Sequence, residues 1–209
     1  MKRVVFDFDG TLLDSRQRHV IVLNDCLRLY GIEKADLSDY LAYKSNGFST
    51  RAFLCENLML SEELAKVVSG QWISMIEQDN YFEADQLYAD TISTLQCLNN
   101  YMDLYLLSAR SNESALRRQV EQFELKPFFN EVICVSPFNA TAEKIRAVQR
   151  IKPCAIVGDT EVEYQVAQEM KIFGYLLNRG FRSKEYFDQR GISSNADLSR
   201  LNCLIEKLI

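Results

Sequence analysis

From Asp90 onward the chain alternates between short apolar runs and longer stretches of helical period, and that alternation limits the fold more than any other feature. A helix over about 90–100 precedes an apolar run at 104–107, and a helix carrying Leu116, Val120 and Phe123 precedes one at 132–135. A helix over 141–150 leads to 155–157, and a helix with Val162, Val166 and Met170 leads to 173–177. Strands that alternate with helices predict an α/β fold, a doubly wound parallel sheet. A last amphipathic segment with Leu198, Leu201, Ile205 and Leu208 is expected to dock on that sheet. Ligands of such sheets bind beyond the carboxyl ends of the strands, so polar residues just after strand ends carry the functional weight.

The N-terminus supplies another strand. Val4, Val5 and Phe6 form a β-branched and aromatic run too short for a helix, and Gly10 with Thr11 marks its end. Residues two apart on a strand point the same way, so Asp7 and Asp9 face one site while Phe8 faces the other side. Two carboxylates crowded at a buried strand end are costly unless a cation or a reacting group lies between them. Taken alone, the pair also reads as two solvated aspartates beside a glycine turn.

Between these regions the period is helical. Val20, Leu23, Leu27 and Tyr30 repeat at three- and four-residue steps before Gly31, and Leu64, Val68, Trp72, Met75 and Ile76 form a second run behind Ser61 as its N-cap. A polar loop over 43–51 leads into a short helix near 52–58, and no convincing strand precedes about Asp103. Residues 16–85 therefore read as an all-helical insertion, with 1–15 and 86–209 forming the sheet domain.

Composition narrows the partners. With 209 residues, 47% of them apolar, the chain suffices for one core with an inserted subdomain. No apolar run approaches the roughly 18 residues of a membrane helix, and Met1-Lys2-Arg3 leads directly into a strand, so a soluble cytoplasmic protein without membrane attachment is expected. A net charge of −5 argues against nucleic acid as a partner but leaves room for a small anionic substrate. Cys26, Cys55, Cys97, Cys134, Cys154 and Cys203 are scattered within apolar segments and read as buried, reduced thiols.

Four sets of polar residues fall at predicted strand ends: Asp7 with Asp9, Ser108-Ala109-Arg110, Lys144 early in its helix, and Gly158-Asp159-Thr160-Glu161-Val162-Glu163. In order, D-F-D-G-T-L at 7–12, Ser108, Lys144 and G-D-T-x-x-E at 158–163 resemble the four motifs of the haloacid dehalogenase-like hydrolases. The resemblance spans the whole sheet domain and implies a Rossmann-like core with an inserted helical cap.

It also implies a chemistry. Asp7 would be the nucleophile that forms an aspartyl-phosphate, and Asp9 the general acid and base. Mg²⁺ would sit on Asp7, the Asp9 carbonyl and Asp159, offsetting the repulsion between carboxylate and phosphate. Ser108, the Ala109 amide and Lys144 would hold the phosphoryl oxygens. Thr11 would steady Asp9, or serve only as a turn residue. Lys144, a cation in the first turn of its helix, opposes the helix dipole and so favours a functional role. Glu163 departs from the family's usual Asp, and Thr160 to Glu163 spell a capping box, which favours capping over metal contact.

Substrate choice falls to residues 16–85, which would act as a lid. Lys44 and Arg51 there, and Arg110 and Arg179 on the core, are candidates to pair with a second anionic group of a substrate, or are ordinary solvated cations. His19, the single histidine, is expected to pack at the hinge or to assist Asp9. Asp9 itself favours phosphate-ester chemistry, since the dehalogenases and phosphonatases of the superfamily lack an Asp at its place. The expectation is a Mg²⁺-dependent phosphatase for a small phosphorylated metabolite, similar to phosphoglycolate phosphatases. The alternatives are a β-phosphoglucomutase-like mutase and a non-catalytic phosphate-binding domain.

Overall fold

The computed structural model describes residues 1–207. Strands β1 (Lys2–Phe6), β4 (Met102–Ala109), β5 (Glu131–Val135), β6 (Ala155–Gly158) and β7 (Phe173–Leu176) form one parallel sheet in the order β5-β4-β1-β6-β7. The N-terminal strand is therefore central: Val4 pairs with Leu104 on one side and with Ala155 on the other. Alternation along β1 sends its residues to opposite faces. Val4 and Phe6 join a core with Leu104, Leu106 and Val157, whereas Val5 joins Leu107 and Ile156 on the far face. That far face is covered by Val148 and Ile151 of α7 (Ala140–Ile151) and Val166 and Ala167 of α8 (Glu161–Met170).

The opposite face is covered by Leu95 and Leu98 of α5 (Thr91–Asn99), Leu116 and Val120 of α6 (Glu113–Gln122), and Leu201 and Ile205 of the C-terminal helix α10 (Leu201–Glu206). Leu198 packs into the same core just before α10, and Leu208 lies outside the described residues. Helix α9 (Lys184–Asp188) closes a smaller cluster with Leu176. Among the described residues no helix is long and apolar enough to cross a membrane.

The helical unit has a core of its own. Helix α1 (Arg16–Leu29) contributes Val22, Leu23, Cys26 and Leu27; α2 (Tyr40–Ser45) contributes Tyr40; α3 (Thr50–Glu56) contributes Phe53 and Leu54; and α4 (Glu62–Met75) contributes Ala65 and Val68. Ser61 caps α4 by accepting from the Leu64 amide. Residues 43–45 are helical instead of loop, since α2 runs through them, and Tyr30 falls just beyond α1.

Three local expectations are corrected. Two short strands precede Asp103: β2 (Leu13–Asp14) and β3 (Gln86–Leu87) pair antiparallel, so the two connections to the helical unit run side by side as a ribbon. A two-residue strand has no periodicity to read. Strand β4 extends to Ala109, which puts Ser108 inside the strand, beside Cys134. Finally, all six cysteines are free, but only Cys26 is buried, and Cys97 and Cys203 are exposed.

Candidate active site

The carboxyl ends of β1, β4 and β6 converge on a cavity of about 140 Å³ lined by Asp7, Asp9, Ser108, Ala109, Lys144 and Asp159. The sheet order explains the convergence, because β1 lies between β4 and β6. Asp7 is anchored through its amide, which donates to the Val157 carbonyl at 2.9 Å. Lys144 Nζ lies 2.6 Å from both Asp7 Oδ1 and Glu163 Oε1. Asp7 Oδ2 takes no hydrogen bond among the described residues.

Lys144 is the fifth residue of α7, one step past the first turn where it was expected, and is only 3% exposed. Burial alone would lower its pKa, but Asp7 and Glu163 outweigh that effect and hold the ammonium above its ordinary value. Glu163 closes the capping box: its Oε2 accepts from the Thr160 amide at 3.3 Å and from Thr160 Oγ1 at 2.8 Å. One carboxylate thus caps α8 and carries Lys144.

Negative charge is in excess at the bottom of the cavity. Burial, with Glu163 and Asp9 beside it, outweighs Lys144 and pushes Asp7 up to about 7. Burial, then Asp7 and Glu163, raise Asp159 well above the carboxylate range. Asp159 Oδ2 accepts from the Phe181 amide at 2.6 Å, and the carboxylate lies in a backbone cradle. A Cβ on Gly10 or on Gly180 would stand 2.1 Å from Asp159 Oδ2, and Gly10 has a φ of +77°, so only glycine serves there.

This donor set fits a hard divalent ion. Among the described residues no group of three His, Cys, Asp or Glu side chains forms a complete cage. Asp7 and Asp159, two under-neutralised carboxylates lining one cavity, are oxygen donors of the kind Mg²⁺ accepts while keeping water and substrate oxygens.

Asp9 is held differently from Asp7. Arg110 grips it at two points, Nε to Oδ2 at 2.7 Å and Nη2 to Oδ1 at 2.8 Å, and Arg18 Nη2 also donates to Oδ1. Burial alone would raise Asp9, but Arg110 and then Arg18 hold its carboxyl far below the usual range. Arg18 extends the network, with its Nε 3.3 Å from Asp85 Oδ1, while Gln119 Nε2 donates to Asp85 Oδ2 at 2.5 Å. Burial is the main reason that Asp85 rises to about 6. Arg18 on α1 and Asp85 next to β3 thus join both connections of the helical unit to Asp9.

The other expected residues are scattered. No hydrogen bond joins Thr11 to Asp9 among the described residues: its hydroxyl has no partner there, and its carbonyl accepts from Arg179 Nη2. Arg179 is committed to Asp90 at 2.7 and 2.8 Å, stacks over Tyr88 and is not in the lining of the Asp7 cavity. Arg51 pairs with Glu62 on the surface, away from the Asp7 cavity. Lys44 lies 5.2 Å from the Trp72 ring, and burial is the main reason its ammonium falls to about 8. His19 packs between Trp72 and Phe181, and burial, then Lys44 and Arg18, keep it far below its ordinary value.

Arg18, Asp85 and Glu77 escaped the sequence reading. Glu77 follows α4 and accepts from the amides of Ser111 at 2.9 Å and Asn112 at 2.6 Å, tying the helical unit to the start of α6. Arg18 is 1% exposed although Arg16 and Gln17 flank it. A buried arginine beside polar neighbours leaves no mark in the periodicity. The nearest signal was its position next to His19, directly after the first motif.

With this geometry in view, the family model for haloacid dehalogenase-like hydrolase matches residues 1–171. The chain belongs to the haloacid dehalogenase-like hydrolases. Within this family its likeness is to phosphatases: it is 24% identical over 199 residues to the phosphoglycolate phosphatase of Aliivibrio fischeri, covering 88% of this chain and 87% of that one. In fold it is similar to a haloacid dehalogenase-like hydrolase from Streptococcus pneumoniae (TM-score 0.74, 19% identity, 99% and 98% of the two chains). It is also similar to a predicted phosphatase from Clostridium acetobutylicum (TM-score 0.71, 20% identity, 99% and 97%). The five-stranded parallel sheet with flanking helices is the sheet of this family, with Asp7 and Asp159 directly after β1 and β6, Ser108 inside β4 and Lys144 on α7.

Proposed function

We propose that the protein is a Mg²⁺-dependent phosphatase that cleaves a small phosphorylated metabolite through an aspartyl-phosphate on Asp7. One observation supports this most: Asp7 has one oxygen fixed by Lys144 at 2.6 Å and the other without a hydrogen bond among the described residues, in a cavity it shares with Ser108, Ala109 and Asp159.

Asp7 Oδ2 attacks phosphorus as the bond to the ester oxygen breaks, and the departing alcohol takes a proton from Asp9. Ser108, the Ala109 amide and Lys144 hold the phosphoryl oxygens. Asp7, Asp159 and the Asp9 carbonyl would hold Mg²⁺, which would supply positive charge to offset the repulsion between carboxylate and phosphate. Water then attacks the phosphorus of the aspartyl-phosphate, Asp9 takes its proton, and Asp7 is regenerated with release of phosphate.

The double guanidinium clamp gives Asp9 the carboxylate form that the second step needs. For the first step it has to gain a proton, and the dianionic substrate beside it raises its pKa in that direction. Residues 16–85 serve as the lid that excludes water, fastened by Glu77.

The test is release of inorganic phosphate from p-nitrophenyl phosphate and from a phosphometabolite panel. Turnover should require Mg²⁺, stop with EDTA and be lost in Asp7→Asn. Robust turnover by Asp7→Asn would overturn the covalent route. A hexose 1-phosphate converted to its 6-phosphate without phosphate release would make the protein a mutase, and inactivity on the whole panel would leave a phosphate-binding domain.

A further inference from the structure

A second cavity, of about 360 Å³, has Asp9 and Ala109 in its lining, as the Asp7 cavity does. A group esterified to a phosphoryl at Asp7 therefore extends into this space, and its walls select the leaving group. On the side of the helical unit the walls are Trp72, Ile73 and Ile76, and on the sheet side Pro137 and Phe138. His19, driven toward its neutral form, adds another ring. Ile73 is 57% exposed and Phe138 78%, so a large apolar side chain is presented to solvent from each domain around one cavity. Phe138 stands on a short loop whose geometry is fixed, its amide donating to Ser136 Oγ at 3.2 Å and Asn139 following in the left-handed region.

Each cation in the lining already has a carboxylate partner. Arg18 and Arg110 both pair with Asp9, although Arg110 Nη1 has no hydrogen-bond partner among the described residues. Glu77 also lines it, fixed by two amides, and repels a carboxylate. Lys44 is not part of the lining.

We propose that the leaving group is an uncharged, ring-sized apolar alcohol, and that the cavity discriminates against carboxylate-bearing leaving groups such as glycolate. This rests on the phosphatase reading above and specifies its substrate class. An apolar ring gains by burial against Trp72 and Phe138, whereas a carboxylate would be desolvated beside Asp9 and Glu77, with both lining cations already paired to Asp9.

Benzyl phosphate and 2-phosphoglycolate both release alcohols, so their comparison isolates binding from the acidity of the leaving group. With Mg²⁺, kcat/KM for benzyl phosphate should exceed that for 2-phosphoglycolate by about 10-fold or more, the scale on which apolar pockets discriminate. Phe138→Ala should lower this ratio, and Ile73→Lys, an exposed position that leaves the core intact, should lower it further or invert it. Trp72 is the single tryptophan, so benzylphosphonate should change its emission at concentrations where phosphonoacetate does not. A ratio of one or less in an enzyme that turns over p-nitrophenyl phosphate would overturn the substrate class and leave the phosphatase standing. A ratio unmoved by both substitutions would overturn the cavity assignment, and inactivity on every ester would bring down both readings.

Discussion

Arg110 and Asp9, 101 residues apart in the chain, form a two-point guanidinium–carboxylate pair at 2.7 and 2.8 Å. The pair fixes the carboxylate over the boundary between the two cavities, and Arg18 adds a second cation to it. Such planar, charge-assisted contacts position a group as well as charge it.

Removing one clamp should therefore alter the base more than the nucleophile. Arg110→Gln leaves Arg18 in place but lets the Asp9 pKa rise toward its ordinary value, because an opposite charge is lost. The acidic limb of the kcat profile should move to higher pH, and steady-state turnover should fall by roughly 10²-fold. Aspartyl-phosphate should then accumulate, enlarging the rapid-quench burst. An unmoved acidic limb would contradict the role given to the pair.

Lys144 is an electrostatic keystone of the Asp7 cavity. Lys144→Met leaves Asp7 and Glu163 buried without their shared cation, which costs about 3–5 kcal/mol. Urea unfolding without Mg²⁺ at pH 7.5 should show that loss, and at pH 5.5, where Asp7 takes up a proton, the loss should be smaller.

The metal-free protein should become less stable as pH rises. Asp7 titrates at about 7 in the fold against an ordinary 3.8, so between those values the folded chain holds a proton that the unfolded chain releases. Stability then falls with increasing pH across that window, and the raised Asp159 acts in the same direction. Mg²⁺ binds the deprotonated pair, so the gain in thermal midpoint on adding Mg²⁺ should be larger at pH 8 than at pH 6. Equal gains would show that these carboxylates do not hold the ion.

Glu77 should control closure. Hydrogen bonds to a charged group are worth roughly 1.5–3 kcal/mol each, so Glu77→Ala should weaken the closed state and raise KM by at least about 10-fold. Hydrogen exchange at the amides of Ser111 and Asn112 should speed up in the variant. Unchanged exchange would mean that the contact bears no load in solution.

The sequence by itself determined the sheet, the order of its motifs and the capping box at Thr160 and Glu163, because these depend on residues close together in the chain. β-Branched runs, helical period and turn residues each act over a few positions, and a strand end is where they change. Lys144 was legible for the same reason, being early in a helix that follows a strand. What only the tertiary structure decided is which charges meet. Arg18 was one cation among many, and Arg110 a candidate partner for a substrate anion, until folding brought both to Asp9; Arg179, equally plausible beforehand, went to Asp90. Glu77 and the apolar walls around Phe138 belong to the same class. Partner choice among like-charged side chains is set by distances across the fold, and no local pattern along the chain encodes them.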